Sequence, residues 1–105
     1  MNNIIKVEID KFVDYISSLT GVLQIYLFGS YANGNSHKTS DIDLMVIVEN
    51  NMDPFKIAYK IRKGLTETDF NLDIAVNRIS AFEDASKNSM FQKTIKENGV
   101  LLYAA

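Results

Sequence analysis

The sequence contains no cysteine and only one histidine, and these two absences exclude several kinds of chemistry. Without cysteine there are no disulfide bonds, thiolate zinc sites or Cys/His catalytic pairs, so the hydrophobic core must be stable without covalent help. The histidine, His37, lies in the polar stretch 33–40, and no Ser/His/Asp arrangement can be assembled around it. We interpret His37 as an exposed side chain, with assistance to proton transfer near neutral pH as the alternative.

The sequence also lacks an excess of one charge and a long apolar run. Eleven basic and thirteen acidic residues give a formal net charge of -2, without the basic excess that supports binding to nucleic acid or an anionic membrane. Charged residues interrupt the stretch 1–12, where a secretory signal needs an apolar segment, and no run approaches membrane-spanning length. We therefore expect a cytoplasmic protein with no direct nucleic-acid partner and no membrane partner.

The size and composition are those of a single domain. A chain of 105 residues with 47% hydrophobic residues can form one modest core but not two. One proline and five glycines leave no linker or low-complexity stretch. We predict that residues 1–105 form one domain.

Hydrophobic periodicity predicts alternating helices and strands. Apolar residues recur at steps of three and four in the first segment, as on one face of a helix, whereas short runs of branched and aromatic residues are typical of buried strands. Asp53 followed by Pro54 marks a helix start. The predicted order is a helix over 4–19, strands over 22–28 and 41–48, a helix from Asp53 to about Thr66, a strand over 70–76, and one or two helices followed by a short apolar end.

Two aspartates stand at the start of the second predicted strand. Asp41 and Asp43 are two residues apart, so on a strand they point to the same face, roughly 6 to 7 Å apart. Aspartate is depleted in strands and the two carboxylates repel each other. A divalent cation would resolve this repulsion, and such hard oxygen ligands suit Mg²⁺ or Mn²⁺. Asp73, on the predicted strand 70–76, would add a third carboxylate if that strand is a neighbour.

A Gly-Ser turn precedes these aspartates. Gly29 and Ser30 follow the first strand and would open a short helix, with backbone N–H groups and one hydroxyl facing outward to cradle a phosphate. A phosphate turn beside metal-binding carboxylates indicates phosphoryl or nucleotidyl transfer. Gly29 and Gly34 have the glycine spacing of a P-loop, but Asn35 stands where that motif needs lysine, so we reject that interpretation.

Each feature also has a plainer interpretation. The aspartates could be solvated side chains at strand positions, and Gly29-Ser30 a simple turn with a serine cap. The occurrence of turn and aspartates together favours the functional interpretation of both.

Two further groups of side chains are assigned to the surface or core. The lysines at 56, 60 and 63, beside Arg62, line one helix face, which we interpret as solvated rather than as a contact for a nucleotide or an acidic partner. Four apolar or aromatic residues are interpreted as core or interface rather than as a base-stacking platform: Phe12, Tyr15, Met90 and Phe91.

The chain carries Gly29-Ser30 and, after ten further residues, Asp41-Ile42-Asp43, each beside an apolar strand. This pattern resembles the signature of the DNA polymerase beta-like nucleotidyltransferase superfamily. The chain is similar to the minimal nucleotidyltransferase (MNT) antitoxins that pair with HEPN-domain toxins, because "LDIAV" and "FQKTIKENGVLLY" also resemble that family. This resemblance implies an α/β (α+β) fold, with a small mixed sheet and helices packed mainly on one side.

The resemblance also implies roles for the site residues. Gly29 and Ser30 would bind the nucleotide phosphates, Asp41 and Asp43 would bind Mg²⁺, and Asp73 would help to bind metal and activate the acceptor hydroxyl. The implied reaction transfers AMP from ATP to a hydroxyl, typically of a tyrosine, on a HEPN-domain toxin, as in a type VII-like toxin–antitoxin module.

Two departures from the family pattern matter. Asn33 stands where many relatives carry a basic residue, so one phosphate contact is weaker or comes from elsewhere. The additional domain of larger relatives is missing, so we expect a second subunit, in a homo-oligomer or a hetero-oligomer with the toxin, to complete the acceptor site. Two other functions stay open: a catalytically silent antitoxin that acts by stoichiometric binding, and a small-molecule nucleotidyltransferase of the aminoglycoside type.

Overall fold

The chain folds into a four-stranded mixed sheet with helices on both faces, and the computed structural model describes residues 3–34, 36 and 41–105. His37 and Asn35 lie outside these described residues. The elements follow the chain as α1 (Asn3–Ser17), β1 (Val22–Phe28), α2 (Ser30–Asn33), β2 (Ile42–Val48), α3 (Pro54–Gly64), β3 (Leu72–Arg78), α4 (Ile79–Asn88), α5 (Met90–Asn98) and β4 (Val100–Ala104).

The strand order is β3-β2-β1-β4. β1 runs antiparallel to both β2 and β4, and β2 runs parallel to β3, to which it is connected through α3. Because β2 and β3 are parallel, their first residues lie at the same end of the sheet. The last residues of β1 lie at that end too, since β1 is antiparallel to β2.

Side chains of β2 alternate between two cores, one on each face of the sheet. Ile42, Leu44, Val46 and Val48 belong to the larger core, which α1 and α3 cover with apolar residues such as Phe12 and Ile61. Met45 and Ile47 belong to the smaller core on the other face, which α4 and α5 cover with Phe82 and Ile95.

The α/β class and the mixed sheet are therefore confirmed, but the expected placement of helices mainly on one side needs correction. The run 44–48 is apolar on both faces, so both faces need cover, and the C-terminal helices supply it on the second face.

Several boundaries match the sequence signals closely, and others shift. α3 ends at Gly64, about two residues before the predicted end, and β3 starts at Leu72 rather than at residue 70. The C-terminal segment forms two helices, and Ser89 begins the second by accepting a hydrogen bond from the backbone N–H of Gln92 at 3.4 Å. The short apolar end is an edge strand, β4, paired with β1.

None of the helices in the described residues has the length and apolar character needed to cross a membrane.

The start of α3 is fixed by its N-cap. The Asp53 carboxylate accepts a hydrogen bond from the backbone N–H of Phe55 at 2.9 Å, and Pro54 occupies the first helical position. We expect Asp53→Ala to lower the free energy of unfolding by about 1 kcal/mol, whereas Asp53→Ser, which keeps a capping oxygen, should cost less. Urea unfolding of the two variants measures the difference, and equal losses would contradict the capping role.

Candidate active site

Asp43 and Asp73 face each other across neighbouring strands. They are register partners in the parallel pair β2–β3, whose backbones lie about 4.8 Å apart. Strand alternation places both side chains on the sheet face that carries Met45, Ala75 and the helices α4 and α5. Asp43 is half-buried and Asp73 is exposed. The condition under which the sequence predicts three carboxylates on one surface, that the strand of Asp73 is a neighbour of the strand of Asp43, is therefore met.

Asp41 comes directly before β2 and is exposed. The pKa of the Asp43 carboxyl is raised above its ordinary value, mainly by burial and then by the negative charges of Asp73 and Asp41. The charge of Asp41 therefore acts on Asp43 although Asp41 lies outside the strand. The three carboxylates therefore form one electrostatic group with Asp43 at its centre.

The carboxylates are not yet closed around a single point. Within residues 3–34, 36 and 41–105, no three acidic or histidine side chains converge as ready-made metal ligands. Asp41 and Asp73 are exposed, so their side chains have room to change rotamer. A set of carboxylate oxygens whose mutual repulsion raises a pKa fits a hard divalent cation such as Mg²⁺.

Gly29 and Asp43 are in direct steric contact. Phe28 is the register partner of Asp43, so the turn that follows β1 lies against the Asp43 side chain. A Cβ atom at Gly29 would lie 2.2 Å from Asp43 Oδ2, and Gly29 has φ 76° and ψ -156°, a backbone region that is essentially restricted to glycine. The missing side chain at Gly29 thus makes room for the carboxylate at the centre of the site.

The turn itself is held by backbone hydrogen bonds. The carbonyl of Gly29 accepts from the N–H groups of Ala32 at 3.1 Å and Asn33 at 3.2 Å. Gly34, with φ 80°, ends α2 by donating its N–H to the carbonyl of Ser30. The predicted short helix after the Gly-Ser turn is confirmed as the single turn α2.

The lysine face of the third helix is not part of this site. Lys56, Lys60 and Lys63 are exposed on α3, which packs on the sheet face opposite to Asp43. The Lys63 ammonium lies 5.8 Å from the centre of the Tyr59 ring, and the Arg62 guanidinium donates to the Ile74 carbonyl at 3.3 Å. These placements agree with a surface role for the lysines.

Two residues that the sequence did not indicate border the Gly-Ser turn. Thr94 and Asn98 of α5, together with Phe28, Gly29 and Asn33, line a cavity of about 70 Å³. They are far from the turn in sequence, and only the docking of α5 on this sheet face brings them close.

At one end of the mixed sheet, three aspartates lie beside a glycine turn, an arrangement that suits nucleotidyl transfer. The profile of the family described as "Polymerase beta, Nucleotidyltransferase" matches residues 10–105, and the chain belongs to this family. The resemblance drawn from Gly29-Ser30 and the aspartate pair is thereby confirmed, as is the enzyme class.

Among characterised relatives, protein adenylyltransferase MntA of Shewanella oneidensis is 41% identical over 44 residues. The matched segment is 39% of this chain and about a third, 32%, of the length of MntA. Over this limited span the identity is well above that of the solved structures described next.

Solved structures share the fold over most of the chain. A Sulfolobus solfataricus protein assigned as a nucleotidyltransferase superposes with a TM-score of 0.63 and 22% identity, over 91% of this chain and 77% of that one. A complex of the tri-AMPylated HEPN toxin with the MNT antitoxin of Shewanella oneidensis gives a TM-score of 0.52 and 21% identity, over 100% of this chain and 74% of that one. A toxin–antitoxin structure with AMP-PNP gives a TM-score of 0.52 and 23% identity, over 94% of this chain and 73% of that one.

Proposed function

We propose that this chain is a Mg²⁺-dependent adenylyltransferase that transfers AMP from ATP to a hydroxyl of a HEPN-type toxin and thereby acts as its antitoxin. The observation that carries the proposal is the central position of Asp43, which contacts the glycine turn and feels the charges of Asp41 and Asp73. Two relatives support a protein acceptor: one is named protein adenylyltransferase, and another is an antitoxin solved with an AMPylated toxin. We take this activity to be cytoplasmic, because ATP and Mg²⁺ are available there.

In this proposal the glycine turn binds the phosphates of ATP and the aspartates bind the metal ion. The backbone of Gly29 and the hydroxyl of Ser30 hold the phosphates of ATP. Asp41, Asp43 and Asp73 hold Mg²⁺, which when bound would neutralise charge that develops on the phosphates during transfer. Because the Asp43 carboxylate touches the glycine turn, the phosphates and the metal ligands are held against each other by one contact.

In the proposed step, the acceptor oxygen attacks the α-phosphorus of ATP in line with the leaving group. A new bond forms between that oxygen and the phosphorus, the bond to the oxygen bridging the α- and β-phosphates breaks, and pyrophosphate leaves with its electron pair. Asp73 takes the proton of the hydroxyl. Its exposure supports this role, because a hydroxyl on a folded protein must approach from the solvent side.

We take the acceptor to be a tyrosine of the toxin, as the family resemblance implies. The test is co-expression of the chain with its HEPN-type partner, followed by growth assays and intact-mass measurement of the partner. We expect the wild type to restore growth and to add one or more AMP units to the toxin. The Asp41→Asn/Asp43→Asn variant should do neither, while Asp10→Asn/Asp14→Asn, which removes two exposed charges on α1, should behave as wild type.

The alternatives give different outcomes in the same experiment. A silent antitoxin would restore growth in the Asp41→Asn/Asp43→Asn variant without any change in the mass of the toxin. A small-molecule nucleotidyltransferase would leave the toxin unmodified and toxic while an adenylylated metabolite accumulates. Either result would overturn the proposed function.

A further inference from the structure

One stripe of α5 lies along the Gly-Ser turn. Thr94 and Asn98 are four residues apart and line the cavity of about 70 Å³ beside Gly29. Phe91 precedes Thr94 by three residues and therefore belongs to the same helical stripe. The three side chains thus present an aromatic ring, a hydroxyl and an amide in sequence along one face.

Phe91 contacts a second aromatic ring although it is exposed. Its ring meets the ring of Phe28 edge to face, with centres 5.5 Å apart and an interplanar angle of 88°. Even so, 53% of Phe91 remains accessible to solvent. Since Phe28 is the register partner of Asp43, this ring lies at the border of the candidate active site rather than in the core.

The cavity and the ring suit different parts of a nucleoside. A volume of about 70 Å³ holds roughly two water molecules, so it has room for sugar hydroxyls but not for a purine base. A base is instead accommodated by stacking on an exposed aromatic face. Sugar hydroxyls both donate and accept, as the Thr94 hydroxyl and the Asn98 amide require.

We propose that Phe91, Thr94 and Asn98 form the nucleoside subsite, in which the base stacks on Phe91 and the ribose hydroxyls bond to Thr94 and Asn98. This inference rests on the proposed function, since it takes the phosphates to lie at Gly29 and Ser30. The sequence-based interpretation assigned Phe91 to the core or an interface; its 53% exposure excludes the core, and the proposal uses the exposed ring face for stacking.

Binding of MgATP and of magnesium tripolyphosphate, measured by calorimetry, separates the base contact from the phosphate contact. We expect Phe91→Ala to raise the Kd for MgATP about tenfold and to leave the Kd for tripolyphosphate unchanged. Phe91→Tyr, which keeps an aromatic ring, should bind MgATP as the wild type does. Unchanged MgATP binding in Phe91→Ala, or equal weakening of both ligands, would overturn the assignment.

The sugar contact is tested by comparing ATP with 2′-deoxy-ATP and 3′-deoxy-ATP. We expect the wild type to bind ATP about three- to tenfold more tightly than at least one of them, and Thr94→Val to lose that preference. If Thr94→Val and Asn98→Ala each keep the wild-type preference for ATP over the deoxy analogues, the sugar contact is overturned.

The same titrations distinguish failure of the nucleoside subsite from failure of the proposed function. Wild-type protein that binds tripolyphosphate as tightly as ATP would overturn the nucleoside subsite while leaving the phosphate site standing. Wild-type protein that binds neither ligand would contradict the proposed function itself.

Discussion

Replacing Asp43 with asparagine is expected to lower the rate of AMP transfer by about 10³-fold, because the amide keeps the shape of the side chain but removes its charge. Asp43 both contacts the glycine turn and interacts with the other two aspartates. Incorporation of labelled AMP into the acceptor measures the effect. A variant that retains more than a tenth of the wild-type rate would show that Asp43 is not at the reacting centre.

The same substitution is expected to stabilise the metal-free protein. The pKa of Asp43 is raised in the folded state above its ordinary value of 3.8, so the folded protein holds this proton more tightly than the unfolded chain does. Ionisation of Asp43 therefore does not lower the free energy of unfolding at a pH below both pKa values. The loss of stability grows as the pH rises through the raised pKa and is complete at pH 7. Asp43→Asn removes this cost.

Because burial and the neighbouring negative charges both oppose ionisation of Asp43 in the folded protein, we expect the melting temperature in a chelator at pH 7 to rise by about 2 °C. The gain should vanish near pH 3, where the wild-type carboxyl is protonated in both states. Asp69→Asn, at an exposed position between α3 and β3, is the matched control and should leave the melting temperature unchanged. A lower melting temperature for Asp43→Asn at pH 7 would contradict this account of the site's electrostatics.

Gly29→Ala is expected to damage both stability and catalysis. The added Cβ would lie 2.2 Å from Asp43 Oδ2 and would force alanine into a backbone region reserved for glycine. We expect a loss of about 2 kcal/mol in the free energy of unfolding and a loss of about 10²-fold in transfer rate, as the displaced carboxylate no longer meets the phosphates in the right geometry.

Gly34→Ala separates the two causes. Gly34 also has a positive φ, of 80°, but in the described part of the chain a Cβ there would meet no atom within 4 Å. We therefore expect Gly34→Ala to cost about 1 kcal/mol of stability without a comparable loss of rate. Equal catalytic losses in the two variants would show that backbone strain, and not the contact with Asp43, accounts for the effect of Gly29→Ala.

Local signals were sufficient to predict most of the fold. The helical periodicity of α1, the Asp53-Pro54 start of α3 and the apolar run of β2 each depend on residues close in sequence, and each element formed where expected. The strand β4 was not predicted, because Val100 and Leu101 lie partly exposed at the sheet edge and their pairing with β1 joins residues that are distant in sequence.

The site could be predicted in part for the same reason. The spacing of Gly29, Ser30, Asp41 and Asp43 is a local pattern, and strands joined through a helix are usually parallel neighbours, as β2 and β3 are here. The contact of Gly29 with Asp43 depends on the register of β1 with β2. The stripe containing Phe91 lies beside the turn only because α5 packs on the smaller core. The spacing of residues in the sequence predicts neither of these.

The most direct test of nucleotidyl transfer uses ATP labelled at the α-phosphate in one reaction and at the γ-phosphate in another, each with purified protein, Mg²⁺ and host lysate. We predict a protein band labelled from the α-position alone, and lost in the Asp41→Asn/Asp43→Asn variant. Label from the γ-position, or an α-labelled band that survives in the double variant, would contradict the assignment of this site to nucleotidyl transfer.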